Sequence, residues 1–292
     1  MRLGFIGLGA MGRPMALRLL AAGHQLAVWA RRPESCQPLI DAGARASSRP
    51  ADVAQRSEVV FTMLTTGADV EQVALAPGGL AEGFAAASIL VDMSTIAPAM
   101  ARALAQRLGE GGVDMLDAPV SGGVQAASQA LLAIMVGGDA AVLERVRPLL
   151  TVLGRTIVHV GDNGAGQIAK ACNQLILVGA IQAAAEALHF SAVAGADPAK
   201  VRQALAGGSA GSRALELMGG RMVDRDFAAG VEARLHHKDI GIVMGEAHAL
   251  GLCLPVGGSV WQQLNALMAM GWGRADTASL LRVLETTRRS AG

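Results

Sequence analysis

Directly after a short apolar run, Leu3–Ile6, the chain reads Gly7-Leu8-Gly9-Ala10-Met11-Gly12 and passes into a segment with helical spacing, Met11–Ala22. In a chain with 37 glycines a GxGxxG alone is weak evidence. Its setting strengthens it: a strand before, a helix after, and a second strand-like run, Gln25–Trp29, within about 30 residues. The glycine spacing has a physical logic. Gly7 allows the tight turn, Gly9 allows the backbone close to a pyrophosphate, and Gly12 allows helix and strand to pack, with the phosphates on helix N–H groups. The alternative, a bare structural turn, explains fewer of these coincidences. Gly7, Leu8, Gly9, Ala10, Met11 and Gly12 are therefore expected to bind a dinucleotide.

The end of the second strand discriminates between dinucleotides, because an acidic residue there would hold the ribose 2′-hydroxyl of NAD and an arginine would accept the 2′-phosphate of NADP. The chain reads Val28-Trp29-Ala30-Arg31-Arg32-Pro33, without a carboxylate. NADP is expected, with NAD as the alternative and Arg31 as the discriminating residue. Two solvated loop arginines are the plainer reading, since only three of the 25 cationic side chains are Lys.

Further strand candidates are Glu58–Leu64, Ser88–Met93, Val113–Asp117, Leu131–Val136 and Thr156–Val160, alternating with helical runs such as Pro98–Leu108, for which Ser94 and Thr95 are candidate caps. This alternation implies a parallel sheet covered by helices. At Gly161-Asp162-Asn163-Gly164-Ala165-Gly166 the pattern changes, and a long helix to about Ala194 leads into further helical runs at Pro198–Leu205, Ala214–Met222, Leu235–Leu250 and Val256–Met270. The expected fold is thus α/β: a Rossmann-type dinucleotide-binding domain over residues 1–162, then an all-helical domain over 163–292 joined by the long helix. The helical part is expected to bind substrate and to support a homodimer or homotetramer.

A formal net charge of +1 argues against a nucleic-acid partner. Mean hydropathy is high, at +0.39. Yet the most apolar stretch, Leu175–Ile181, is far short of the ~20 residues of a membrane span. The N-terminus lacks the cleavage site of a signal peptide, so a cytoplasmic location is expected. Cys36, Cys172 and Cys253 are widely spaced and have no nearby ligand pairs, so neither a disulfide framework nor a metal site is expected.

Three separated motifs in order resemble the β-hydroxyacid dehydrogenase family: the glycine loop, Asp117-Ala118-Pro119-Val120-Ser121-Gly122-Gly123, and Gly164-Ala165-Gly166-Gln167-Ile168-Ala169-Lys170-Ala171-Cys172-Asn173-Gln174. Lys238-Asp239 in a later helix adds to the likeness, which runs from Gly4 to about Glu285. Within the family, Lys-x-x-Asn-Gln, Gly207-Gly208-Ser209-Ala210-Gly211-Ser212 and Leu235-His236-His237-Lys238-Asp239 resemble the tartronate semialdehyde reductase branch. 3-Hydroxyisobutyrate dehydrogenase or another semialdehyde reductase is the alternative within the family, and a non-catalytic dinucleotide sensor the alternative outside it. One departure is Thr65, which stands where the family often has Pro.

Reducing an aldehyde requires a hydride donor, a proton donor at the carbonyl oxygen and a cradle for substrate charge. Lys170 suits the proton donor: it lies early in an apolar helix, with Asn173 and Gln174 three and four residues on along the same face. Arg cannot shuttle a proton, so a Lys retained in an Arg-favouring chain is informative; a snorkelling surface Lys is the plainer reading. Ser121, Gly122 and Gly123, at a strand end, combine a hydroxyl with unobstructed backbone N–H groups suited to a carboxylate. The resemblance implies Lys170 and Asn173 as catalytic residues, and Ser121, Gly122, Gly123, Gln174 and Lys238 toward a small anionic aldehyde or hydroxyacid. It also implies Met63, Leu64, Thr65, Thr95 and Lys238 toward the cofactor. His236 and His237 are expected to be structural.

Overall fold

The computed structural model describes residues 1–287. It contains two compact units, Met1–Lys170 and the chain from Ala171 onward. Among the described residues of the first unit, nine strands form one sheet: β1 (Arg2–Ile6), β2 (Gln25–Trp29), β3 (Arg45–Ala46), β4 (Val59–Thr62), β5 (Ile89–Asp92), β6 (Asp114–Asp117), β7 (Val120–Ser121), β8 (Leu132–Gly137) and β9 (Gly154–Gly161). Their order is β3-β2-β1-β4-β5-β6-β8-β7, with β9 beside β8.

The pattern of side chains explains this sheet. Leu3, Phe5, Val59, Phe61, Ile89 and Val91 enter one core, while Ile6, Val60 and Leu90 enter a second. That is the period-two alternation of strands buried on both faces. The helices covering the sheet include α1 (Gly12–Ala21), α2 (Gly67–Leu75), α3 (Pro98–Gly109) and α4 (Gly123–Gln129). From β1 the chain first builds outward to β2 and β3, then returns to place β4 on the other side of β1. The crevice at the carboxyl ends of β1 and β4 is therefore the switch point at which such sheets bind ligands.

Three expectations need correction. The sheet is not wholly parallel: β8 runs antiparallel to β6 and β7. Strands β3 and β7 have only two residues each, too few to give a period in the sequence. Neither Ser94 nor Thr95 caps α3; its N-cap is Ala97, with Pro98 in the first turn, and Ser94 turns its hydroxyl to Asp92 instead. Proline there suffices to start a helix, because its φ is already helical and its missing N–H needs no partner.

The long helix α5 spans Ala165–Val193 and is followed in the second unit by α6 (Pro198–Ala206), α7 (Arg213–Val223), α8 (Ala233–Ala249), α9 (Pro255–Ala269) and α10 (Leu280–Thr287). By length and composition α5 is apolar enough to cross a membrane, which the short run Leu175–Ile181 does not indicate, because the apolar character extends along the helix beyond it. The tertiary structure gives that apolar character a different use. Val178, Ile181, Ala185 and Leu188 of α5 join Ile240, Val260 and Leu264 in the core of the second unit.

Two helical glycines test the packing. A Cβ on Gly166 would lie 2.5 Å from the carbonyl oxygens of Asp117 and Met135, whereas one on Gly245 of α8 would meet nothing within 4 Å. In denaturant unfolding, Gly166→Ala is expected to destabilise by at least about 1–3 kcal/mol through overpacking. Gly245→Ala is expected to stabilise by about 0.5–1 kcal/mol.

Candidate active site

The glycine loop follows β1 and turns sharply. Gly7 has φ +101°, and a Cβ there would collide with the Met63 carbonyl; a Cβ on Gly12 would collide with the carbonyl of Gly7. Gly9 differs, since a Cβ there would meet no protein atom within 4 Å. The first and third glycines are thus required by the fold, while the middle one keeps backbone bare toward open space. That is the surface a pyrophosphate needs, and a dinucleotide fits it.

This backbone borders a cleft of about 460 Å³ at the switch point. Gly7, Leu8 and Gly9 line it, as do Arg31 and Arg32 after β2 and Met63, Leu64 and Thr65 after β4. Ala10 and Met11 lead into α1, with Met11 as its N-cap and Gly12 as its first residue. The Arg31 guanidinium is mostly exposed and lies 3.3 Å from Asp69. Asp69 also accepts from the backbone and hydroxyl of Thr66, closing the capping box that starts α2.

Below the cleft, at the end of β5, Asp92 is completely buried. Its Oδ1 accepts hydrogen bonds from the Thr62 hydroxyl at 2.7 Å and the Ser94 hydroxyl at 2.6 Å, and Ser94 Oγ in turn accepts from the Leu64 backbone N–H at 2.8 Å. A carboxylate thereby ties together the two loops after β4 and β5. Burial pushes its pKa up, and the hydrogen bonds from Ser94 and Thr62 only partly oppose this.

Thr95 lies between two backbone groups held by one side chain. Gln167 of α5 accepts from the Ile96 N–H through Oε1 at 3.1 Å and donates through Nε2 to the Ser94 carbonyl at 2.8 Å. Only an amide of this length supplies both a donor and an acceptor from a position that is itself buried. Gln167 was not singled out by the sequence, where it reads as one more residue of a glycine-rich helix start.

The first turn of α5 is held by another residue that sequence reasoning missed. Asp117, at the end of β6, accepts from the Gly164 N–H at 2.7 Å and the Gln167 N–H at 2.9 Å. Burial pushes this carboxyl up too, against the pull of those two backbone donors. One turn further on, Lys170 is buried, with 7% of its surface exposed, and its Nζ donates to the Val120 carbonyl at 2.8 Å. The structure thus brings the lysine to the segment Val120-Ser121-Gly122-Gly123. Gly122 and Gly123 both have positive φ, +138° and +70°, and a Cβ on Gly123 would meet nothing within 4 Å. An ammonium and a stretch of bare backbone N–H groups with a hydroxyl are therefore neighbours in one unit.

In the second unit, Asn173 donates to Gln174 Oε1 at 2.7 Å, Gln174 donates to Asp239 Oδ2 at 2.5 Å, and Lys238 Nζ lies 3.0 Å from Asp239 Oδ1. His236 is buried against the Thr277 hydroxyl and His237 stacks on Trp261, both structural arrangements. Lys200 is exposed on α6.

Comparison with known proteins matches residues 2–161 to the NAD-binding domain of 6-phosphogluconate dehydrogenase and residues 164–284 to the NAD-binding model of NADP-dependent 3-hydroxyisobutyrate dehydrogenase. The chain is 44% identical to the 2-hydroxy-3-oxopropionate reductase of Escherichia coli K12, covering 98% of this chain and 97% of that one. It is 39% identical to a 3-hydroxyisobutyrate dehydrogenase of Pseudomonas aeruginosa, over 87% of each. A Mycobacterium tuberculosis 3-hydroxyisobutyrate dehydrogenase solved with L-serine superposes with TM-score 0.89 at 30% identity, covering 97% of this chain and 99% of that one.

The buried Asp92 gives a pH-dependent stability. Its folded pKa is raised, so the folded state binds its proton more tightly than the unfolded chain and stability falls as pH rises from about 4, the ordinary aspartate range. Asp92→Asn keeps an acceptor for Thr62 and Ser94 without the charge. Melting curves between pH 4 and 8 are expected to show the variant gaining on the wild type as pH rises; a constant difference would overturn the assignment.

Proposed function

The chain belongs to the β-hydroxyacid dehydrogenase family of NAD(P)-dependent oxidoreductases, and on that premise we propose that it reduces a short semialdehyde carboxylate with NADPH, taking tartronate semialdehyde to glycerate. The observation that carries this reading is the Lys170 ammonium, buried and anchored on the Val120 carbonyl immediately before Ser121-Gly122-Gly123. A bound nicotinamide dinucleotide supplies the hydride.

Lys170 donates the proton to the carbonyl oxygen and polarises it beforehand, as a positioned acid does. Anchoring on a main-chain carbonyl limits the rotation of the ammonium and so fixes where it can meet a substrate. The Ser121 hydroxyl and the N–H groups of Gly122 and Gly123 receive the carboxylate, and Asn173 and Lys238 complete the polar surroundings, with Gln174 supporting Asn173. Gly7 to Gly12, Met63, Leu64, Thr65 and Thr95 hold the cofactor. Arg31 takes the 2′-phosphate; no carboxylate follows β2 to claim the 2′-hydroxyl of NAD, and Arg32 lines the same part of the cleft. The 44% identity to a 2-hydroxy-3-oxopropionate reductase supports the choice of substrate, since that is the same compound as tartronate semialdehyde.

Lys170→Ala is expected to lower kcat by roughly 10²-fold or more while NADPH still binds, measured by fluorescence titration. Unchanged turnover would remove Lys170 from the mechanism. Steady-state kinetics with tartronate, methylmalonate and succinic semialdehydes and glyoxylate, each with NADPH and NADH, test the substrate. Highest kcat/KM for methylmalonate semialdehyde with NADH would overturn both the cofactor and the substrate. Arg31→Ala is expected to raise KM for NADPH by about tenfold, the loss of one charge-assisted contact, and to leave KM for NADH within about twofold.

A further inference from the structure

The hydrogen bonds linking Asn173, Gln174 and Asp239 have a direction that chemistry dictates. Asp239 and Gln174 are both buried, 8% and 4% exposed. The Asp239 carboxylate is paired with the Lys238 ammonium at 3.0 Å, and a carboxylate only accepts. The Gln174 atom 2.5 Å from Asp239 Oδ2 must therefore be its NH2 group. That leaves Gln174 Oε1 facing Asn173 at 2.7 Å, and an acceptor there requires the Asn173 NH2 group. Asn173 Oδ1 is thereby turned away from Gln174. Reversing the buried Gln174 amide would set its oxygen against the Asp239 carboxylate where water cannot relieve the repulsion, and reversing Asn173 would set its oxygen against Gln174 Oε1.

An asparagine on its own can offer either end of its amide; this one is committed. The geometry points to Asp239 as a positioning residue that acts through Gln174 to make Asn173 present a hydrogen-bond acceptor, which selects substrates bearing a hydroxyl on the carbon next to the aldehyde. Asn173 is half-buried and follows Lys170 by one turn of α5, so the two side chains lie along one face of that helix. Tartronate semialdehyde carries a hydroxyl at this carbon, and methylmalonate semialdehyde carries a methyl group in its place. A fixed acceptor bonds the first and is left desolvated and unpaired by the second, the situation in which discrimination is large. The inference rests on the reading of the site as a semialdehyde reductase.

The test is kcat/KM for these two aldehydes with NADPH, using the full-length protein and the variants Asp239→Asn, Asn173→Asp and the double variant, with melting temperature and NADPH affinity recorded for each. Asp239→Asn frees Gln174 to turn, and is expected to cut the preference for hydroxyl over methyl by about tenfold. Asn173→Asp places a second acceptor against a Gln174 that Asp239 holds in place, and is expected to lower kcat/KM for tartronate semialdehyde by about tenfold or more. In the double variant the amide at 239 can donate to Gln174, which then turns and donates to the new carboxylate. It is expected to exceed Asn173→Asp alone by about threefold or more, a rescue that independent losses do not produce. Should Asp239→Asn not fold, Gln174→Asn, too short to span both partners, reads the same preference. Equal losses on both aldehydes, or purely additive losses in the double variant, overturn the inference while the functional reading stands. Failure of the wild type to reduce either aldehyde overturns both.

Discussion

A single buried carboxylate at the end of β6 sets the first turn of α5. Asp117 accepts the N–H groups of Gly164 and Gln167 at a helix start, where otherwise unpaired donors and the helix dipole favour a negative charge. The close approach needs Gly166, because any side chain there would strike the Asp117 and Met135 carbonyls. With that turn fixed, Gln167 is aimed at the backbone on either side of Thr95 and Lys170 at the Val120 carbonyl. Lys170, proposed as the proton donor, and the loop proposed to contact the cofactor are thus both positioned from one end of one helix and depend on one cap.

A second carboxylate does the same for the cleft. Asp92 and Asp117 are register partners on neighbouring strands, and both have their pKa raised by burial, with Asp117 adding to the upward pressure on Asp92. Such groups cost stability above the ordinary aspartate range. What they give in return is geometry: Asp92 ties the Thr62 and Ser94 hydroxyls and, through Ser94, the Leu64 backbone into one hydrogen-bonded set beside the glycine loop. Rigid support of this kind is what hydride and proton transfer require, since displacements of an ångström are expensive in rate.

The family likeness and the geometry answer different questions. Membership of the β-hydroxyacid dehydrogenases establishes the reaction class and a nicotinamide cofactor. Choice among small hydroxyacids depends on which polar atoms face the reacting carbon, and Asp239 is proposed to bear on that choice through Gln174 and Asn173.

Much of this was readable in the chain itself. The glycine loop, the alternation of strands and helices, the helical second half and the conspicuous Lys170 are local signals, carried by short spacings and by residue types with few alternative uses. Gly12 is dictated by a backbone collision with Gly7 and Gly7 by its own positive φ, so their spacing survives in one dimension, although the carbonyl a Gly7 side chain would strike belongs to the distant Met63. Other features are set by contacts between distant segments and leave no local trace. The strands β3 and β7 are too short to show a period, and the antiparallel setting of β8 follows from pairing with β6 and β7. Ser94 reads as a helix cap but is drawn to Asp92, because a buried carboxylate is a stronger partner than a helix already started by Pro98. Gln167, Asp117 and Asp239 are ordinary polar residues in the sequence. Only the tertiary structure buries them beside unpaired partners 50 to 73 residues away, and burial is what turns an optional hydrogen bond into an obligatory one.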